Sequence, residues 1–188
     1  MYPFIAKPGA VSLLVVIASF VCNALTAYLI SSFISDEGIY PTEWLYDPRF
    51  IIGTIMFLSG YYINRRSDNI LTNLRRAKEE KVDKDEETDA LLEAKDDGPE
   101  LKYVNPHTKK VYYVPKGFLF EYVSCSNYFG EILIWLGFAL LTFSLEALAL
   151  FLLTFGNLVP RALRYHKFYL DHFPNYPQDR KAVIPFLL

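Results

Sequence analysis

The chain has 188 residues, 52% of them apolar and 16% aromatic, with 15 Phe and 14 Tyr gathered into a few blocks. That load is high for a soluble domain and reads as a membrane protein. The net charge of −2 conceals a division: Lys78 to Glu100 holds eleven acidic and four basic residues, which leaves the rest of the chain net positive. The acidic segment would repel phosphate backbones, and the basic residues fall at the ends of hydrophobic blocks, so nucleic acid is excluded as a partner.

The first apolar block, Ala10 to Ile34, has 25 residues without a charge. That is ample for a hydrocarbon core of about 30 Å. With only Lys7 ahead of it, it reads as a retained transmembrane helix rather than a cleaved signal. Cys22 and Cys125 have no ligand spacing and are expected to be small buried apolar side chains, with no disulfide scaffold and no metal site. A compact polar loop, Asp36 to Tyr46, follows.

The second block, Phe50 to Asn64, is short for a span. It reaches across if Trp44, Tyr61 and Tyr62 sit at interfaces and Arg49 and Arg65 extend their heads outward. Arg65, Arg66, Arg75, Arg76 and Lys78 then place that end in the cytosol by the positive-inside rule. From about 77 to 100 the charged, aromatic-free sequence is expected to be a flexible cytosolic insertion, at most a solvated helix with i,i+4 pairs. Lys102 to Pro106 and Val111 to Pro115 resemble two short extended pieces around a turn.

The third block carries Glu131, then runs uncharged from Ile132 to Leu145; Glu146 precedes another uncharged stretch ending at Pro160. One helix through both would put Glu146 near mid-membrane at about 2.5–3.5 kcal/mol. Two helices joined at Ser144-Leu145-Glu146 avoid this, with Ser144 as cap and Glu146 favoured by the helix dipole in the first turn. The expected fold class is therefore all-alpha, a multi-pass transmembrane helical bundle of four passages. Its C-terminus is cytosolic, and Pro174 and Pro177 stop the last helix.

Three groups are placed at the same membrane face by this topology. In the last helix Arg161, Tyr165 and Tyr169 recur every four residues, with Arg164, His166 and Lys167 around them; the pattern fits both membrane anchoring and the gripping of phosphates. Asn64 and Asp68 are one turn apart, and with Arg75 they fit either local charge neutralisation or contacts to ribose, amide and phosphate. Asn127, Tyr128 and Glu131 precede a membrane block, and Glu131 has to face protein, water or ligand. No GxGxxG or GxxxxGK[ST] sequence occurs, so a nicotinamide cofactor would have to be held by helices.

From Trp44 to the end the chain resembles the C-terminal part of the steroid 5-alpha-reductases. The resemblance is carried by Asp47-Pro48-Arg49-Phe50, Asn64 with Ser67-Asp68, Asn73-Leu74-Arg75, Gly117 through Ser124, Asn127-Tyr128-Phe129-Gly130-Glu131, Arg161-Ala162, Phe168-Tyr169-Leu170, Tyr176-Pro177, Arg180-Lys181-Ala182 and Ile184-Pro185-Phe186. It implies an NADPH-dependent oxidoreductase of the endoplasmic reticulum membrane. Such an enzyme reduces the Δ4 double bond of 3-oxo steroids, with hydride going to C5, a proton to C4, and an acid polarising the C3 carbonyl. It further implies that Asn64, Asp68, Arg75, Asn127, Glu131, Arg161 and Tyr169 surround NADPH, with Tyr128 and Tyr165 among them.

Three departures accompany this resemblance. Tyr165-His166 stands where the family usually has a His pair, the acidic insertion lengthens a loop that is short in the family, and Glu146 stands where proline is common. The family's catalytic tyrosine and a steroid-contacting Gln-Glu pair lie on helices preceding the part that corresponds to Met1-Tyr2-Pro3-Phe4-Ile5, so the chain is expected to be N-terminally shortened and its own catalytic residues are unassigned. A trans-2-enoyl-CoA or polyprenol reductase of the same superfamily, or a catalytically inactive NADPH-binding membrane protein, are the alternatives.

Overall fold

The computed structural model describes residues 13–38, 40–86, 102–104 and 111–188. Four α-helices account for most of these: α1 (Leu13–Ser32), α2 (Pro48–Glu86), α3 (Ser126–Thr142) and α4 (Leu145–His172). A two-stranded antiparallel hairpin of β1 (Lys102–Val104) and β2 (Val111–Tyr113) interrupts them, pairing Tyr103 with Tyr112. The fold is thus helical with one small hairpin, where the sequence suggests two extended pieces. The chain divides into two compact units, one of residues up to Tyr62 together with Gly130–Leu158, the other of Ile63–Phe129 with Val159–Leu188.

In the first unit, glycines let helix backbones touch. A Cβ on Gly60 would lie 2.7 Å from the Gly130 carbonyl oxygen, and one on Gly53 would lie 2.8 Å from that of Gly137. Small residues spaced in this way are how apolar helices associate by close contact. The break between α3 and α4 falls where the charge of Glu146 predicts it. Phe143 turns the chain with a positive φ of 48°, and Ser144 Oγ accepts the Ala147 N–H at 3.1 Å. The loop before α2 caps the C-terminal end of α3 at this break. Tyr40 donates to the Thr142 carbonyl at 2.8 Å and Trp44 Nε1 to the Leu141 carbonyl at 3.3 Å, which satisfies carbonyls that the helix end leaves unpaired. Arg49 lies over the rings of Trp44 and Phe143 and pairs with Asp47 at 2.9 Å.

The outward faces of this unit are apolar: Leu13, Phe20, Leu25, Ile51, Ile55, Leu58, Leu152 and Leu153 are all exposed. Cys22 is exposed as well, against expectation, because α1 turns that position outward. Cys125, in the second unit, is buried as expected, and its thiol is pushed up to about 12 by desolvation. Among the described residues one helix, α4, is long and apolar enough to cross a membrane.

Unit two is held by aromatic packing. Val114, Tyr169, Phe173 and Tyr176 form its core, with Tyr103, Tyr112, Phe168 and Leu170 packed on them. The C-terminal tail is stitched to the segment before α3, where Ser124 N–H donates to the Lys181 carbonyl, Cys125 N–H to Ala182 and Lys181 N–H to Tyr122. Helix α2 runs on past the apolar block and into the acidic segment as far as Glu86. The remainder of the expected insertion, 87–100, lies outside the described residues.

Candidate functional site

The second unit gathers most of the polar residues singled out from the sequence. Asn64 and Asp68 project from consecutive turns of α2, and α3 begins at Ser126, so Asn127 lies in its first turn. The Asn64 amide donates to the Asn127 carbonyl at 3.1 Å, and the Asn127 side chain hydrogen-bonds the Asp68 carboxylate. Asp68 is half-buried, yet its Oδ1 is buried with no hydrogen-bond partner. Desolvation raises its pKa above the usual carboxylate value, with Arg65 and Asn127 partly opposing the rise. An orphaned acceptor of this kind is costly in a finished fold and normal in a site that expects a donor from a ligand.

Helix α4 supplies the other side. Tyr165 lies beside Tyr128, with ring centroids 6.2 Å apart and planes inclined at 40°. The Tyr128 hydroxyl hydrogen-bonds with Tyr165 and Arg161. Burial, the largest cause, and Tyr165 hold the Tyr128 phenol well above its ordinary pKa. It therefore stays protonated at any physiological pH and can donate. Asn64, Asp68 and Asn127 thus form one hydrogen-bonded group and Tyr128, Arg161 and Tyr165 another, the two meeting at the adjacent positions 127 and 128. Their acceptors, donors, ring faces and guanidinium suit an anionic ligand that also carries a flat ring and hydroxyl groups.

The remaining expected residues are placed differently. Tyr169 is only 4% exposed and stacks on Tyr176, with centroids 5.3 Å apart and planes 7° from parallel. It is a core residue supporting Tyr165, one helical turn away, rather than an open contact surface. Arg75 is half-buried on α2, two turns beyond Asp68. Glu131, one turn after Asn127 on α3, is half-buried and falls in the other unit.

Several residues, most of them missed by sequence reasoning, brace these groups from behind. Ser67 and Ser126 share a buried hydrogen bond of 2.7 Å between α2 and α3. Ser124 Oγ joins His166 Nδ1 at 2.6 Å, the Tyr176 hydroxyl at 2.7 Å and the Lys181 carbonyl at 3.2 Å. If the hydroxyl donates to the carbonyl, its two lone pairs receive Tyr176 O–H and His166 Nδ1–H, which satisfies every group and leaves Nε2 as the basic nitrogen. Arg180 is buried, donating to the Pro115 carbonyl at 3.2 Å and to Glu121 at 3.4 Å, with its guanidinium over Tyr176. The sequence singles out His166 beside Tyr165 and carries Ser67 beside Asp68, whereas Ser124, Ser126, Tyr176 and Arg180 are marked only by their place in the tail and in the run before Asn127. No periodicity marks them, because each partner is distant along the chain.

No group of three or more His, Cys, Asp or Glu side chains among the described residues could hold a metal ion. The family profile of 3-oxo-5-alpha-steroid 4-dehydrogenase matches residues 9–83 and 92–188, so the unmatched internal stretch falls inside the acidic segment. The chain is 36% identical over 188 residues to 3-oxo-5-alpha-steroid 4-dehydrogenase 1 of Homo sapiens, covering all of this chain and 61% of that protein. It is 34% identical over 189 residues to the Bos taurus protein of the same name, covering 100% and 62%. With the steroid 5-alpha-reductase DET2 of Solanum lycopersicum it shares 37% over 174 residues, 92% of this chain and 56% of the relative. The chain therefore spans roughly three-fifths of the length of the curated relatives it matches. On a match that runs almost end to end, the chain belongs to the 3-oxo-5-alpha-steroid 4-dehydrogenase family.

Proposed function

We propose that this chain forms the NADPH-binding part of a steroid 5-alpha-reductase, a multi-pass protein of the endoplasmic reticulum membrane with a cytosolic C-terminus, acting on 3-oxo-Δ4 steroids. The observation that carries the cofactor assignment is Asp68 Oδ1, buried and unpartnered beside amides that are themselves hydrogen-bonded. Membership of the family supports the steroid as substrate.

The residues fit the cofactor by chemistry. Asp68 accepts from a ribose hydroxyl or carboxamide, and Asn64 and Asn127 hold that carboxylate in register. Arg161 and Arg75 meet phosphate. Tyr128 and Tyr165 offer ring faces and hydroxyls, and Tyr169 backs them from the core. Tyr165 donates a hydrogen bond where a histidine is usual but carries no imidazolium charge. When bound, NADPH supplies the hydride that is added at C5 of the enone, C4 taking a proton. The enolate charge that develops at the C3 oxygen requires an acid, and this role is assigned to N-terminal helices of the full-length relatives, so turnover depends on them.

The test separates binding from turnover. The 188-residue chain in phosphatidylcholine nanodiscs is expected to bind NADPH, read by the cofactor's fluorescence. Fused behind the N-terminal segment of the bovine relative, it is expected to oxidise NADPH with a 3-oxo-Δ4 steroid. Absence of NADPH binding by the nanodisc protein overturns the assignment. Reduction of a trans-2-enoyl-CoA or a polyprenol in preference to the steroid transfers the activity to that group, and binding without turnover in the fusion identifies an inactive cofactor-binding protein.

A further inference from the structure

In the first unit, α1 and the start of α4 enclose a groove of about 390 Å³, lined by Thr26, Leu29 and Ile30 on one side and by Glu146, Ala149 and Leu153 among others on the opposite side. The volume lies within the range of small-molecule sites. Its walls are apolar apart from Thr26 and Glu146, and Glu146 Oε2 is buried with no hydrogen-bond partner.

Three neighbouring hydroxyls, those of Tyr40, Thr142 and Ser144, have their protons committed elsewhere, and the Thr26 hydroxyl on the opposite wall makes no hydrogen bond to Oε2. Tyr40, near enough to feel the Glu146 charge, donates to the Thr142 carbonyl at 2.8 Å. Thr142 donates to the Phe138 carbonyl at 2.9 Å. Ser144 accepts from the Ala147 N–H and lies 3.2 Å from the Thr142 hydroxyl. Since the Thr142 proton is already used, the proton of that contact is the one on Ser144. A donor for the carboxylate therefore has to come from outside this set. Hydrocarbon cannot provide one, and a buried acceptor left bare is penalised.

We propose that the groove between α1 and α4 is a binding site for a lipid alcohol, an apolar molecule whose single hydroxyl donates to Glu146 Oε2 while its hydrocarbon lies against Leu29, Ile30, Ala149 and Leu153. Thr26 places a second hydroxyl on the wall, able to donate to the oxygen of the bound alcohol. This site uses none of the residues assigned to NADPH, and its occupation requires no turnover, so it stands or falls independently of the proposed activity.

The experiment uses the 188-residue chain in phosphatidylcholine nanodiscs and two photoreactive probes carrying the same diazirine, one built on dodecanol and one on dodecane. After irradiation, labelled peptides are identified by mass spectrometry. The dodecanol probe is expected to label peptides containing residues 26–30 and 145–153, with labelling suppressed by excess unlabelled dodecanol and not by dodecane. Glu146→Leu is expected to lower that labelling about ten-fold or more, the loss of a hydrogen bond to a charged acceptor, and Glu146→Gln, which keeps an acceptor, to retain part of it. Ala149→Phe, which fills the groove while leaving the carboxylate in place, is expected to abolish it, and this keeps the test decisive if Glu146→Leu fails to fold by circular dichroism. Equal labelling by the two probes overturns the proposal in favour of bilayer acyl chains. So does dodecanol labelling that is spread over all lipid-facing helices or that survives both Glu146→Leu and Ala149→Phe.

Discussion

Asp68→Asn separates the demands of folding from those of cofactor binding. In the wild-type protein the carboxylate is half-buried, one oxygen is bonded by Asn127 and the other has no partner. Desolvation is the largest influence on it and raises its pKa; Arg65 is a smaller opposing one. The native state therefore holds the Asp68 proton to higher pH than the unfolded chain, where an aspartate titrates near 3.9. The contribution of this group to stability is full below that value and is lost as pH rises through the folded pKa. Asn has no charge to desolvate, so Asp68→Asn should be neutral to stability in acid and stabilising at pH 7. Discounted for the group's partial exposure, the gain is about 1 kcal/mol, or about 2–4 °C in Tm for a chain of this size.

Binding should change in the opposite sense. A hydrogen bond to a charged acceptor is worth about 1.5–3 kcal/mol, so replacing the carboxylate should weaken NADPH binding by about ten- to one-hundred-fold. Thermal melts of nanodisc-embedded wild type and variant, run from pH 4 to pH 8 with and without NADPH, read both effects together. An Asn variant that binds NADPH as tightly as wild type refutes the role given to Oδ1. One that is destabilised equally at every pH refutes the claim that desolvation dominates.

Other perturbations test separate parts of the structure. Arg161→Ala should weaken NADPH binding about ten-fold or more and flatten its salt dependence, with Arg161→Lys restoring only part, since a lysine is a point charge without the bidentate fork. Gly60→Val forces a Cβ to within 2.7 Å of the Gly130 carbonyl oxygen and the Ile134 nitrogen; because both are backbone atoms, a loss of about 1–3 kcal/mol is expected, seen as a lowered Tm. Ser144→Ala removes the acceptor for the Ala147 N–H and should cost about 1 kcal/mol, while Ser144→Gly should cost only a few tenths.

The helices were legible in the sequence because the apolar blocks and the charge at Glu146 leave few alternatives. A carboxylate cannot sit cheaply in mid-membrane, and a serine before it offers a cap, so the break at residues 143–144 follows from chemistry alone. The length of α2 was not legible. Once the apolar block ends, nothing local distinguishes a helix that continues through Arg65 and Arg76 from one that stops, and charged residues tolerate both. The site was legible where residues share a helix face, as with Asn64 and Asp68 or Arg161 and Tyr165. It was not legible where packing decides: spacing puts Tyr169 on the face of Arg161, but the closing of Tyr176 over its ring turns it into core. The Ser124–His166–Tyr176 contacts join positions 42 and 52 residues apart, and no one-dimensional pattern encodes such a meeting.

What distinguishes the candidate site from the rest of its unit is the fate of polar groups rather than their number. Ser67 and Ser126 pair with each other, Ser124 is shared among three partners, and the NH groups of Arg180 reach a carbonyl and a carboxylate. Apart from Arg180 Nε, a donor buried without a hydrogen-bond partner, these groups are satisfied and stabilise one arrangement. Asp68 belongs to the same neighbourhood, yet holds one oxygen bare and tolerates a raised pKa for it. An asparagine at this position would relieve the desolvation while keeping an acceptor for Asn127. A carboxylate with one oxygen bare among braced neighbours suits a ligand that brings its own donor. The bracing fixes the groups around it: Asn127 is held by Asn64 and α2 is joined to α3 through the two serines, which keeps the neighbours of the carboxylate in place.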